Sequence, residues 1–230
     1  MGRKPKIAVI LDENTSSGGD GYEISKNYFS AISRAGAIGF GIPYQHDVIG
    51  QVVEEFDGFL SVGGRIHFPT EWYVEGDQSQ YPASERLAVE MALMEGFLSR
   101  DKPVLGICNG MQMLGCLNGC RMVSDVHSSW PGALNHDQTD TFHPVHIPSG
   151  TRMSEILNAE TFDVNTFHRE AIVDISGSVV VTARGPDGVV EAIEVRSQSF
   201  AMGLQWHPER LDTADHPGAR IFDAFVKAAS

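Results

Sequence analysis

Short apolar runs alternating with helix-periodic segments dominate the first half of the chain. Residues 6–11, KIAVIL, read as a buried strand, and the polar DENTSSGGDG after it leads into a helical pattern from about Tyr22 to Arg34. AIGFGIP and DGFLSV supply two more strand-sized runs, with a helix predicted across DVIGQVVEEF between them. SERLAVEMALMEGFLSR sets Leu87, Met91, Met94 and Leu98 at helical spacing behind Ser84 as N-cap, and it runs directly into the strand KPVLGIC. This alternation of strand and helix predicts a parallel sheet covered on both faces.

Residues 63–82 show no sustained period and are rich in turn formers and aromatics, the mark of a long functional loop. Beyond about residue 120 the pattern shortens to the strand-like HPVHI, SVVVTA, VVEAIEV and FAMGLQW. Pro186, Asp187 and Gly188 read as a hairpin turn between the second and third of these. HPGARIFDAFVKAA closes the chain with a helical apolar face. Neither a repeat nor a linker interrupts residues 1–230, which are read as one domain.

Charge narrows the partners. The 30 acidic and 17 basic side chains leave a formal charge of −13, which argues against nucleic acid or an anionic membrane and for a small-molecule substrate or another protein. The longest apolar runs fall short of the roughly 20 residues that span a bilayer. Three cysteines, Cys108, Cys116 and Cys120, fit a reducing compartment, and a cytoplasmic protein is expected, with self-association left open.

The stretch VLGICNGMQ places Cys108 between a strand and a helix, flanked by Gly106 and Gly110. Alone, such a cysteine reads most simply as a small buried apolar group. The same arrangement also describes a nucleophile elbow, in which glycines admit a tight turn and the helix N-terminus favours a thiolate. GLQWHPE, residues 203–209, offers His207 at a strand end with Glu209 one proline further on. If Pro208 keeps that segment extended, Glu209 points to the same side as His207 and orients its imidazole toward Cys108. By itself His-Pro-Glu reads more simply as an ordinary capped, solvated turn. Cys116 and Cys120 with His127 make poor metal ligands because LNGC ends the helix between them. TSSGGDG lacks the spacing of a phosphate-binding loop.

LGICNGMQ and GLQWHPE resemble the paired signatures of class I glutamine amidotransferase domains. SVGG, HPVHIPSGTRMSEIL, VNTFHREAI and ARGPDGVVEAIE are similar, in the same order, to the γ-glutamyl hydrolase branch, above all the γ-glutamyl-γ-aminobutyrate hydrolases, and the likeness spans nearly the whole chain. It implies an α/β, flavodoxin-like three-layer sandwich with a mostly parallel central sheet and inserted β-hairpins. The implied activity is cleavage of a γ-glutamyl amide through a thioester on Cys108, with His207 as acid and base and Glu209 orienting it, in amine or polyamine catabolism. Backbone N–H groups of Gly64 and Asn109 would form the oxyanion hole, Gln112 and His168 would contact substrate, and no cofactor or metal ion is expected.

The pattern is broken in four places. Asn109 stands where relatives carry arginine, Ile66 and His67 follow Arg65 without the usual aspartate, Leu87 rather than aspartate follows Arg86, and Glu170 after Arg169 replaces a glutamine. Each change alters the charge or hydrogen bonding of the pocket, so γ-glutamyl amide cleavage is better supported than any one leaving amine. A glutaminase subunit feeding a synthase and a non-catalytic binding protein are the two rival readings.

Overall fold

The computed structural model describes residues 2–14, 21–138, 141–211 and 216–230. Strands β1 (Lys6–Ile10), β2 (Asp12–Glu13) and β3 (Tyr22–Glu23) precede helix α1 (Lys26–Arg34), followed by β4 (Ile38–Ile42), α2 (Ile49–Glu55) and β5 (Gly58–Ser61). Next come α3 (Arg86–Leu98), β6 (Val104–Ile107) and α4 (Asn109–Leu117). The second half holds β7 (Arg121–Val123), α5 (Val126–Ser129), β8 (Thr141–His146), α6 (Arg152–Leu157), β9 (Thr161–Thr166) and β10 (Ala171–Asp174). It closes with β11 (Val179–Arg184), β12 (Val190–Val195), β13 (Ala201–Leu204) and α7 (Gly218–Ala228).

Nine strands form the central sheet in the order β4-β1-β5-β6-β13-β12-β11-β8-β9. Pairing is parallel from β4 through β13, then antiparallel to β9, so the hairpins extend the sheet on one side. The chain α1–α7–α6 packs along one face and α2–α3–α4 along the other. This is the α/β sandwich that the alternating pattern predicts. β5, β6 and β13 are buried throughout, as strands covered on both faces must be, whereas the edge strand β4 exposes Ile38 and Phe40.

Local chemistry moves two predicted boundaries. Ser25 Oγ accepts the Asn27 N–H at 3.3 Å and starts α1 at Lys26, which frees Tyr22–Glu23 to pair with Asp12–Glu13 instead of beginning the helix. Ser84 Oγ accepts the Arg86 N–H at 3.0 Å, so it caps α3 as expected although Glu85 is the boundary residue. The 63–82 segment contains a single helical turn, Thr70–Trp72, and is tied to the body by a Tyr73–Met122 bridge with Phe68 and Tyr73 buried. The Pro186–Gly188 turn joins antiparallel β11 and β12, with Gly188 at φ +85°. α4 ends at Asn118–Gly119, before Cys120. The glycine-rich stretch after Asn14 lies mostly outside the described residues.

Candidate active site

Cys108 sits between β6 and α4 with φ 53° and ψ −104°, a conformation that costs a non-glycine residue about 1–3 kcal/mol. Its environment holds it there. The Cys108 N–H donates to Leu204 O at 2.7 Å, and its carbonyl accepts from Met111 and Gln112 at 3.0 and 3.2 Å. Gly106 and Gly110 are demanded by contact: a Cβ at Gly106 would collide with the Gly110 carbonyl, and one at Gly110 with Ser61. The elbow predicted from the two glycines is therefore present.

The parallel register Ile107↔Leu204 carries the end of β13 alongside the elbow and delivers His207 to it. Asn165, on β9, grips the His207 backbone from both sides, accepting its N–H at 2.8 Å and donating to its carbonyl at 3.0 Å. His207 Nδ1 lies 2.8 Å from Glu209 Oε1, and the ring shares the lining of one cleft with Cys108. The route to this contact differs from the expected one. Pro208–Arg210 is a turn of 3-10 helix, not extended chain, and the turn folds the Glu209 carboxylate back onto the imidazole. Burial alone would push His207 down, but its interactions with Cys108 and Glu209 outweigh it and raise the imidazolium to about 10.

Facing Cys108 is the Val62–Gly64 segment at the end of β5. The Gly63 N–H donates to Tyr28 Oη at 3.2 Å, whereas neither the Gly64 nor the Asn109 N–H makes a hydrogen bond among the described residues. Beneath this segment lies Arg86, fully buried. Its Nε and Nη2 grip Glu90 at 2.8 and 3.0 Å, Nη1 reaches Asp12 at 3.0 Å and Gly63 O at 3.1 Å, and Nη2 also reaches Val62 O at 2.6 Å. Every guanidinium N–H is satisfied, and Ser61 Oγ completes Glu90 at 2.7 Å. The arginine flagged in sequence only as half of an altered pair thus clamps the backbone opposite the thiol. Leu87, beside it, packs on the core.

Cys108, Gly64 and His207 line a cleft of about 630 Å³ that also carries Asp12, Glu13 and Glu23. Cys108 and Gly64 also border a small recess walled by Gln112, His168 and Glu170. Gln112 Nε2 donates to the Glu170 carbonyl at 2.9 Å, and His168 Nδ1 lies 3.1 Å from that same oxygen, so both side chains are braced within the wall. Burial lifts the Glu170 carboxyl to about 7 even though Tyr73 Oη donates to it at 2.8 Å. Arg169 is turned away to Asp125 at 3.0 Å, and His67 is held within its own loop against Tyr81 O. Sequence reasoning missed Asn165 and Tyr28, whose roles exist only through contacts across the fold.

A Mycobacterium tuberculosis protein that carries the provisional name of a glutamine amidotransferase is 35% identical over 89% of this chain and 67% of its own length. The γ-glutamyl-γ-aminobutyrate hydrolase PuuD of Escherichia coli is 27% identical over 97% of this chain and 93% of its own. Among solved structures, a Thermoplasma acidophilum protein that is provisionally named as part of a GMP synthase superposes with a TM-score of 0.70 at 16% identity, covering 100% of this chain and 96% of that one, a likeness of fold. The model of the peptidase C26 family, whose members are class I glutamine amidotransferase-like, matches residues 7–209, and the chain belongs to that family.

Proposed function

We propose that the protein hydrolyses the γ-glutamyl amide of a small amine through a thioester on Cys108. The observation that carries this reading is the Glu209–His207 hydrogen bond beside Cys108, at a strained elbow opening into the cleft. His207 takes the thiol proton, the thiolate attacks the γ-carbonyl, and the oxygen that becomes negative meets the free N–H groups of Gly64 and Asn109. Collapse expels the amine with the proton from His207. Water, deprotonated by the same imidazole, then cleaves the thioester and releases glutamate.

The charge lining the cleft favours one kind of leaving group. Of its charged side chains, Arg65 is committed to Asp137, Arg210 lies beside Glu209, and Asp12 is held by Arg86. Glu13 and Glu23 have no cationic partner among the described residues. An amine whose far end is cationic fits this lining better than γ-aminobutyrate, whose far end is a carboxylate.

Glutamate release by the purified protein alone tests the proposal, using glutamine, γ-glutamyl-γ-aminobutyrate and γ-glutamyl diamines beside a Cys108→Ala variant. Fast, Cys108-dependent release from the diamine derivatives is expected. Equal release by the variant, or none from any amide, overturns the hydrolase reading. Turnover confined to glutamine and raised by a partner protein would make the chain a glutaminase subunit instead.

A further inference from the structure

Behind the small recess, at the antiparallel side of the sheet, three histidines surround one buried carboxylate. Glu191, on β12 and wholly buried, lies with Oε1 3.5 Å from His143 Nε2, 3.5 Å from His168 Nε2 and 3.6 Å from His136 Nδ1. Neither Glu191 oxygen has a hydrogen-bond donor, and neither His143 Nε2 nor His168 Nε2 has a partner. A buried carboxylate among unpartnered imidazole nitrogens is costly as it stands.

The outward nitrogens show which atoms carry protons. His143 Nδ1 lies 3.0 Å from Pro144 O and His168 Nδ1 3.1 Å from Glu170 O; a carbonyl only accepts, so both Nδ1 atoms are the protonated ones. His136 Nε2 lies 2.8 Å from Asp187 Oδ2, a carboxylate that also accepts the Leu134 N–H at 2.8 Å, so this nitrogen too donates. In neutral rings, the three nitrogens facing Glu191 are then all bare. Three imidazole lone pairs converge on one buried carboxyl, with only the Thr166 hydroxyl, 3.1 Å from His136 Nδ1, among them.

We infer that His136, His143 and Glu191 form a buried binding site for a divalent transition-metal ion of the zinc class, with His168 at its edge. The spacing fits. Metal–ligand bonds of about 2.0–2.2 Å place ligand atoms on one ion about 3.3–3.6 Å apart, and Glu191 Oε1 stands 3.5 Å from His143 Nε2 and 3.6 Å from His136 Nδ1. The reactive atoms of His136, His143 and Glu191 also lie within 4.8 Å of one another. Imidazole and carboxylate donors suit zinc, and the Asp187–His136 hydrogen bond is the outer contact that fixes and strengthens such a ligand. The three ligands are buried and do not line the cleft, so the ion is structural. It joins the segment before β8 to β8 and β12, beside the turn that follows β9, the strand whose Asn165 holds His207.

The test reads metal content and is independent of any hydrolytic activity. The tag-free protein is dialysed against metal-free buffer and assayed by plasma mass spectrometry, beside Cys108→Ala, His143→Ala and Glu191→Gln. About one equivalent of zinc per chain is expected in the parent and in Cys108→Ala, falling at least ~10-fold in the two cluster variants. Because those variants risk misfolding, the parent is also stripped and reloaded with Co²⁺, which gives the intense visible bands of a tetrahedral site. A parent that neither retains metal nor takes up Zn²⁺ or Co²⁺ overturns the inference, as does metal that persists unchanged in folded His143→Ala and Glu191→Gln.

Discussion

Replacing Arg86 with methionine tests whether the clamp under Val62–Gly64 is a unit of stability and of geometry at once. Methionine keeps much of the side-chain volume but strands the Glu90 carboxylate, which has no exposed surface and would retain only the Ser61 hydroxyl. Breaking a buried pair by removing one partner costs about 3–5 kcal/mol, because the other charge stays buried and uncompensated. In a chain of this size that corresponds to a fall in Tm of roughly 6–20 °C. The companion variant Arg86→Met/Glu90→Leu removes the stranded charge, so it should recover part of the loss, with a coupling of about 1–3 kcal/mol. Activity should not recover with it. The carbonyls of Val62 and Gly63 still lack the guanidinium, and the Gly64 N–H is no longer held opposite Cys108. Urea unfolding of parent, singles and double gives the cycle, and glutamate release gives the second readout. An Arg86→Met loss within about 0.5 kcal/mol, the range of an ordinary surface substitution, would refute the reasoning; so would strictly additive singles.

His207 is raised from 6.5 to about 10, so the stability it contributes is complete below pH 6.5 and is lost as pH climbs through about 10. Glu209→Gln removes one of the partners that raise it and should flatten unfolding free energy across that interval; parallel profiles for parent and variant would contradict the assignment. Gly110→Ala forces a Cβ into Ser61, whose backbone cannot yield, and should cost about 1–3 kcal/mol and displace the elbow. Gly50→Ala in α2, where nothing lies within 4 Å, should instead gain about 0.5–1 kcal/mol, and denaturation of the pair checks the opposite signs.

The parallel half of the sheet was legible because each strand is a continuous apolar run and each helix has a sustained period. β7, β9 and β10 escaped because they are short or carry polar residues on an exposed face, as in TFDVNT, where only Val164 and Thr166 are fully buried. Cys108, His207 and Glu209 were readable as a set, although the contact between the last two comes from a 3-10 turn at Pro208 and not from extended chain. Arg86 was not readable as a clamp. An arginine in an amphipathic helix ordinarily faces water, and two of its partners, Asp12 and Gly63, lie 74 and 23 residues away in sequence. The cluster of His136, His143 and Glu191 was invisible for the same reason: a loop and two strands contribute them with no motif spacing, and only the fold gathers them.

These differences follow from how the site is assembled. The parallel half supplies both the thiol, after β6, and the imidazole, after β13, and the antiparallel extension supplies β9, whose Asn165 grips the imidazole's backbone. The β6–β13 pairing and the bond from Cys108 N–H to Leu204 O hold the elbow beside the strand that ends three residues before His207. A slip of one residue there would turn every side chain of β13 to the other face, so the thiol and imidazole are held together by register. The pocket walls carry no such constraint. Asn109, Ile66 and Glu170 sit on the helix start and the loops around the cleft, where a changed side chain alters what is recognised without moving what reacts. The elbow and its histidine therefore show in local motifs, whereas charges such as Glu13 and Glu23 reach the cleft only through the fold.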